Sequence, residues 1–301
     1  MKHLTLIAAA AMSVAGAAAA QDAGITEFRI GVLGGENAND RLRSNECIRA
    51  YTEELLGVPT RIFAPADYNA VVEGLLGGNL DMAWLGPSAY AKAYLTDPEA
   101  VEPVLVKVNT DGSFGYHAIG FARADSGITS LEDAKGKRFA FGDPNSASGY
   151  LIPNYEMQKA GIPTESGAHF GEVVFSGGHE QSIVGVFNGD FDVSVTWADG
   201  LGDWEDGYNS GALRKAADAG LVDMTQLVEV WKSPIIVEGP IVLRKSLPER
   251  VKIDMVGMLA SLGFMDPECA YTFMAGEVLG LKPINHDAYE NIIEVRRALG
   301  D

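Results

Sequence analysis

The chain is short of cysteine, histidine and positive charge, and each shortage removes a class of function. Two cysteines, Cys47 and Cys269, cannot form a four-thiolate metal site, and five histidines in 301 residues leave few ligands for a catalytic zinc. Lys and Arg number 23 against 41 Asp and Glu, a formal net charge of −18 that argues against any sequence-independent hold on DNA, RNA or anionic lipid. No GxSxG elbow is present, since Gly86-Pro87-Ser88-Ala89-Tyr90 and Ser146-Ala147-Ser148-Gly149 both miss the pattern. His179-Glu180 lacks the second histidine of an HExxH zinc site, and the Gly142 to Gly149 run lacks the lysine of a nucleotide-binding P-loop. No metal, cofactor or catalytic set is expected, and beyond the N-terminus no stretch approaches the roughly 20 apolar residues of a membrane span.

Met1-Lys2-His3 is a short basic start, Leu4 to Ala20 is apolar and small, and Ala18-Ala19-Ala20 before Gln21 has the form of a cleavage site. Residues 1–20 read as a signal peptide, the alternative being an uncleaved anchor. Export places Cys47 and Cys269 in an oxidising compartment, where they either bridge or stay as two buried thiols. A bridge requires the first helix and the C-terminal region to be neighbours.

Hydrophobic residues make up 47% and charged residues 21%, the balance of a globular chain long enough for two domains. Phe28 to Val32, Thr60 to Phe63 and Leu80 to Leu85 read as strands separated by helices over Asp40 to Leu56 and Tyr68 to Leu76, a βαβαβ order. The alternation resumes with strands at Arg138 to Phe141, Glu172 to Phe175 and Phe191 to Thr196, and a helix from about Ser148. Val72 to Ala83 lines up with Ile183 to Ser194 at a constant offset, each an apolar helix face, a Gly-containing turn and an Asp-led strand. The same offset pairs Tyr68 with His179 at the helix starts and Ser88 with Asp199 beyond the strand ends. In open α/β sheets those ends face the ligand. The apolar runs Tyr116 to Phe121 and Ile235 to Leu243 are candidate crossovers, which makes residues 22–117 with 234–301 one lobe and residues 118–233 a second lobe inserted into it.

Phe141-Gly142-Asp143-Pro144-Asn145-Ser146-Ala147-Ser148-Gly149-Tyr150 carries a strand end into a helix start through small and hydroxyl residues. The first N–H groups of a helix lack internal partners and sit at its positive end, so an oxyanion is the ligand such a turn suits. A capping role for one serine is the plainer alternative. His179, after Ser176-Gly177-Gly178, is placed to donate to the same anion, while Asp199 and Glu238 read as a receptor for a positive group. A zwitterion satisfies both walls.

Ala64-Pro65-Ala66-Asp67-Tyr68, Leu80-Asp81-Met82-Ala83-Trp84, Gly142 to Gly149, Gly178-His179-Glu180 and Trp231-Lys232-Ser233-Pro234 resemble the phosphonate-binding proteins of ABC importers along most of the mature chain. The resemblance implies the type II periplasmic binding protein fold, two α/β lobes joined by two hinge strands with the cleft between them. It implies a monomeric periplasmic receptor that hands its ligand to an inner-membrane permease, without catalysis. Carried over, Tyr68, Ser146, Ala147, Ser148 and His179 hold the phosphonate group, with Ala147 where the family often has Thr. Tyr116, Asp199 and Glu238 meet an amino group, with Asp199 where Glu is familiar and Gly239 where a second acid is expected, one residue after Glu238. The expected ligand is 2-aminoethylphosphonate. Phosphite or a phosphate ester is the alternative within the family, and a phosphoryl-acting enzyme using His179 or a sensor-input protein are the alternatives outside it.

Overall fold

The computed structural model describes residues 24–34 and 37–300, so the expected signal peptide lies outside the described residues. The first α/β unit is β1 (Phe28–Val32), α1 (Ala38–Leu56), β2 (Thr60–Phe63), α2 (Tyr68–Leu76) and β3 (Met82–Trp84). Asn37 caps α1 by accepting from Asn39 N, and Gly57, at φ 65°, ends it in the left-handed conformation that suits glycine. Next come α3 (Pro87–Thr96), β4 (Val101–Val108) and β5 (Gly115–Arg123). The second unit is β6 (Arg138–Phe141), a wide π-type turn (Ala147–Leu151) running into α4 (Ile152–Lys159), β7 (Glu172–Phe175), α5 (His179–Asn188) and β8 (Val193–Ala198). The chain closes with α6 (Ala212–Asp218), β9 (Leu227–Lys232), β10 (Ile236–Val237), β11 (Pro240–Arg244), α7 (Glu249–Met265), α8 (Pro267–Phe273), β12 (Gly280–Pro283) and α9 (Glu290–Ala298).

Two sheets result. The first has the order β12-β4-β11-β3-β1-β2, and β1 runs parallel to both β2 and β3. The second has the order β10-β5-β8-β6-β7, with β9 also on β5, and β6 runs parallel to β7 and β8. The internal repeat is real in structure: α2 starts at Tyr68 as α5 starts at His179, and each helix leads into the strand, β3 or β8, that lies between the middle of its parallel set and an antiparallel neighbour. The repeated aspartates do the same work, Asp81 accepting from Arg29 N at 2.9 Å and Asp192 from Arg138 N at 2.7 Å, so each ties its strand to the start of a neighbouring strand.

The chain leaves the first sheet at the end of β4 and enters the second at Gly115, a few residues before position 117. The return run from Ile235 to Leu243 is two strands rather than one. Ile236 and Val237 pair with Tyr116 and Gly115, whereas Ile241 to Leu243 pair with β3, and the crossing is Glu238-Gly239.

Apolar residues pack on both faces of each sheet. One side of the first sheet buries Val71, Leu75, Tyr90 and Tyr289, and the other buries Phe28, Ile48, Met255 and Leu262. Each such side chain contributes about 1.5 to 3 kcal/mol. Cys47 and Cys269 form a disulfide with Cα atoms 6.0 Å apart, joining α1 to α8. Among the described residues no helix is long and apolar enough to cross a membrane.

Candidate functional site

Four helix starts meet at one cavity between the two sheets. Tyr68 opens α2, Gly86 and Pro87 open α3, Ala147 and Ser148 open the π-type turn, and His179 opens α5; all of them line the cavity. Its volume is about 160 Å³. First-turn N–H groups and aligned peptide dipoles from both lobes therefore favour negative charge here without any net positive charge on the protein.

The small residues of the Gly142 to Gly149 run explain the local shape. Gly142 N donates to Gly149 O at 2.8 Å, closing the strand end onto the helix start, and a Cβ on Gly149 would stand 2.9 Å from Ser146 Oγ. Ser146 is the cap residue, its Oγ accepting from Gly149 N at 3.0 Å. The capping role and the cavity position thus belong to the same serine. The His179 ring lies between Ser146 Oγ, 3.3 Å from Nε2, and Thr196 Oγ1, 3.2 Å from Nδ1, which fixes its plane.

Across the cleft, Tyr68 N donates to Asp143 Oδ2 at 3.3 Å, Asn37 N to Glu180 Oε2 at 3.3 Å, and Lys92 Nζ to Asn145 Oδ1 at 3.2 Å. The lobes are closed on each other. Burial raises the Asp143 carboxyl above its usual value, against the opposing effect of N–H donation from Asn145 and Tyr68.

Tyr116, Trp197 and Glu238 also line the cavity. The Tyr116 phenol is fully enclosed, and burial, with nearby Glu238 adding to it, pushes its pKa well up, so the group is neutral and hydrogen-bonds Ser148. Gly239 shows why a side chain is missing at that position: a Cβ there would lie 2.1 Å from Leu85 O and 3.0 Å from Gly86 Cα, both backbone. The acid stands instead at Glu238.

Seven of the eight expected ligand residues, Tyr68, Tyr116, Ser146, Ala147, Ser148, His179 and Glu238, are brought together around this cavity. Asp199 is not among its lining residues; its Oδ1 accepts from Leu201 N at 3.2 Å and its Oδ2 from Ser210 Oγ at 3.0 Å. Ser88, the partner of Asp199 in the repeat, is held by Arg296 Nη1 at 2.8 Å. Two residues that sequence reasoning did not single out shape the site, Asp143 as an interlobe acceptor and Lys107 on β4. Lys107 is fully buried, with Nζ 3.1 Å from Glu238 Oε2 and 3.1 Å from Ser210 Oγ. Among the described residues no group of His, Cys, Asp and Glu is arranged to hold a metal.

The family model described as the periplasmic substrate-binding protein of phosphonate ABC transporters matches residues 30–289. The phosphonates-binding periplasmic protein of Escherichia coli strain K12 is 30% identical over 250 residues, covering 81% of this chain and 68% of that protein. The phosphate-import protein PhnD of Mycolicibacterium smegmatis is 31% identical over 207 residues, covering 67% of this chain and 61% of that protein, so the match spans less than two thirds of that relative's length. Among solved structures, a binding protein component of an ABC phosphonate transporter from Pseudomonas aeruginosa superposes with a TM-score of 0.77 at 23% identity, over 90% of this chain and 85% of that one. PhnD1 of Prochlorococcus marinus, solved with methylphosphonate, gives a TM-score of 0.75 at 21% identity, over 91% of this chain and 98% of that one. These likenesses show the two-lobe type II periplasmic binding protein fold. Together with the family match along most of its length, they establish that the chain belongs to the phosphonate-binding family of ABC-transporter periplasmic substrate-binding proteins.

Proposed function

We propose that this chain is a periplasmic receptor that captures a phosphonate or related phosphorus oxyanion between its lobes and hands it to an ABC permease. The carrying observation is the convergence of four helix starts, with Tyr68, Ser146, Ser148 and His179, on one small cavity. Such a site takes a tetrahedral oxyanion through short-range hydrogen bonds, which a chain of formal net charge −18 requires because its long-range field repels anions. The volume of about 160 Å³ suits a ligand smaller than the roughly 300 Å³ at which drug-sized pockets begin. The relatives are named for phosphonate binding and phosphate import, which supports transport rather than catalysis.

In this reading the lobes are residues 22–117 with 234–301 and residues 118–233, and they open about the crossings at 109–114 and 238–239. Residues 1–20 direct export, and the receptor acts as a monomer.

The finer reading, 2-aminoethylphosphonate, draws support from Tyr116 and Glu238, which line the same cavity as the Gly142 to Gly149 turn. A second reading, an oxyanion whose substituent carries no charge, is favoured by the ties that Asp199 and Glu238 already make inside the protein. Calorimetric titration of the ligand-stripped mature protein with methylphosphonate, ethylphosphonate, phosphite, phosphate and ethanesulfonate tests the proposal. Saturable binding of a phosphorus compound, recovered unchanged by ³¹P NMR after prolonged incubation, is expected; binding of none of them overturns it.

A further inference from the structure

The buried carboxylates Asp199 and Glu238 are accompanied by a buried cation of the protein's own. Lys107 is next to last in β4, in the first sheet, yet its side chain reaches Ser210 of the inserted segment. Its Nζ lies 3.1 Å from Ser210 Oγ, 3.1 Å from Glu238 Oε2 and 4.7 Å from the centroid of the Trp197 ring. An ammonium has three donors, and here each of three surrounding groups offers an acceptor or a π face. Trp197 and Glu238 both line the ligand cavity, so the Lys107 charge lies directly behind its wall.

The bonding of the two carboxylates follows from this. Glu238 Oε1 accepts from Gly239 N at 3.2 Å, and Oε2 faces Lys107 in an ion pair that is not a well-aligned hydrogen bond. Asp199 Oδ1 accepts from Leu201 N, and Oδ2 accepts from Ser210 Oγ, the same hydroxyl that accepts from Lys107. A Lys107–Ser210–Asp199 relay and a Lys107–Glu238 pair therefore engage one oxygen of each carboxylate, and the amides of Leu201 and Gly239 engage the other two. A ligand ammonium entering beside Glu238 would be a second buried cation close to the first, in a region where charges interact more strongly than in water.

We propose that Lys107 is a specificity-determining residue: its internal ammonium stands in for a ligand ammonium, so the receptor takes phosphorus oxyanions with a small uncharged substituent and discriminates against aminoalkylphosphonates. The inference rests on the oxyanion site argued above and names the class of ligand that site takes. Discrimination comes from like-charge repulsion as well as from fit to the preferred ligand.

Ethylphosphonate and 2-aminoethylphosphonate differ at the substituent end alone, and calorimetry on the mature wild type and on Lys107→Met reads the effect. The wild type is expected to bind ethylphosphonate at least tenfold more tightly. In Lys107→Met the freed carboxylates are expected to shift the ratio at least tenfold toward the amino compound, and 2-aminoethylphosphonate is expected to raise that variant's melting temperature more than ethylphosphonate does. In the double variant Lys107→Met, Glu238→Gln, which leaves one buried carboxylate in place of two, that shift is expected to shrink. Equal or tighter wild-type binding of the amino compound overturns the proposal even if neither variant folds, as does a ratio unchanged in Lys107→Met. If the wild type binds no phosphorus oxyanion, the oxyanion site fails first and this inference fails with it.

Discussion

Asp143, in the Gly142 to Gly149 turn of one lobe, accepts a hydrogen bond at 3.3 Å from the backbone amide of Tyr68, the first residue of α2 in the other. The bond crosses the cleft at Tyr68, which lines the cavity, and so couples closure to the geometry of the site.

That bond yields a kinetic expectation. Asp143→Ala removes the interlobe acceptor and the bond from Asn145 N, and hydrogen bonds to charged groups contribute about 1.5 to 3 kcal/mol. Ethylphosphonate affinity is expected to fall about tenfold or more, mostly as faster dissociation. Stopped-flow fluorescence measures it, and an unchanged dissociation rate contradicts the role.

The same carboxyl sets a pH dependence. Burial holds its folded pKa above the unfolded value of about 3.9, so its stabilising contribution is fully present below that pH and is lost as pH rises through the folded value. The melting temperature of Asp143→Asn relative to wild type is therefore expected to climb as pH increases from about 4 toward neutrality. A difference that stays flat over that range contradicts the sign.

Ser146 both caps the turn and lines the cavity. Ser146→Ala is expected to cost about 1 kcal/mol of stability through loss of the cap. It is also expected to weaken ligand binding about fivefold to tenfold, the scale of a single hydrogen bond. Thermal unfolding and calorimetry on one sample separate the two effects.

The backbone at Gly239 excludes any Cβ, since Leu85 O would lie 2.1 Å away. Gly239→Asp places an acid where the resemblance expects one, but here it is expected to destabilise the fold by about 3 kcal/mol or more through overpacking against main chain. A variant that melts like the wild type would show that the β10 to β11 crossing can shift.

The Cys47–Cys269 bridge closes a loop with a sequence separation of 222. Cys47→Ser with Cys269→Ser is expected to lower unfolding free energy by about 3 to 5 kcal/mol. Denaturant titration measures the change, and a difference below about 1 kcal/mol contradicts a constraining role.

Much of the fold could be read in the chain because periodicity and glycine turns are local signals. Thr60–Phe63, Tyr68–Leu76, Arg138–Phe141 and Glu172–Phe175 all begin and end where the pattern places them. The place of the Gly142 to Gly149 turn at the cavity was readable for the same reason, since helix starts and small residues are neighbours in sequence. The opposite wall was not. Lys107 sits in β4, where a lone lysine looks like an outward-facing position, and only the packing of Ser210 and Glu238 around it reveals a buried charge. Asp199 was found by the repeat, but the repeat fixes its station and not its rotamer, which Ser210 and Leu201 decide. Ile235 to Leu243 reads as one apolar run because strand propensity carries no record of which sheet each half joins.

The most direct test is a crystal structure of the mature protein with ethylphosphonate. The account predicts the three phosphonate oxygens within hydrogen-bond distance of the first-turn amides at Ala147 and Ser148 and of Tyr68 and His179, with the ethyl group toward Trp197. A ligand bound outside this cavity, or with its phosphonate beyond hydrogen-bond distance of the Ala147 and Ser148 amides, would contradict it.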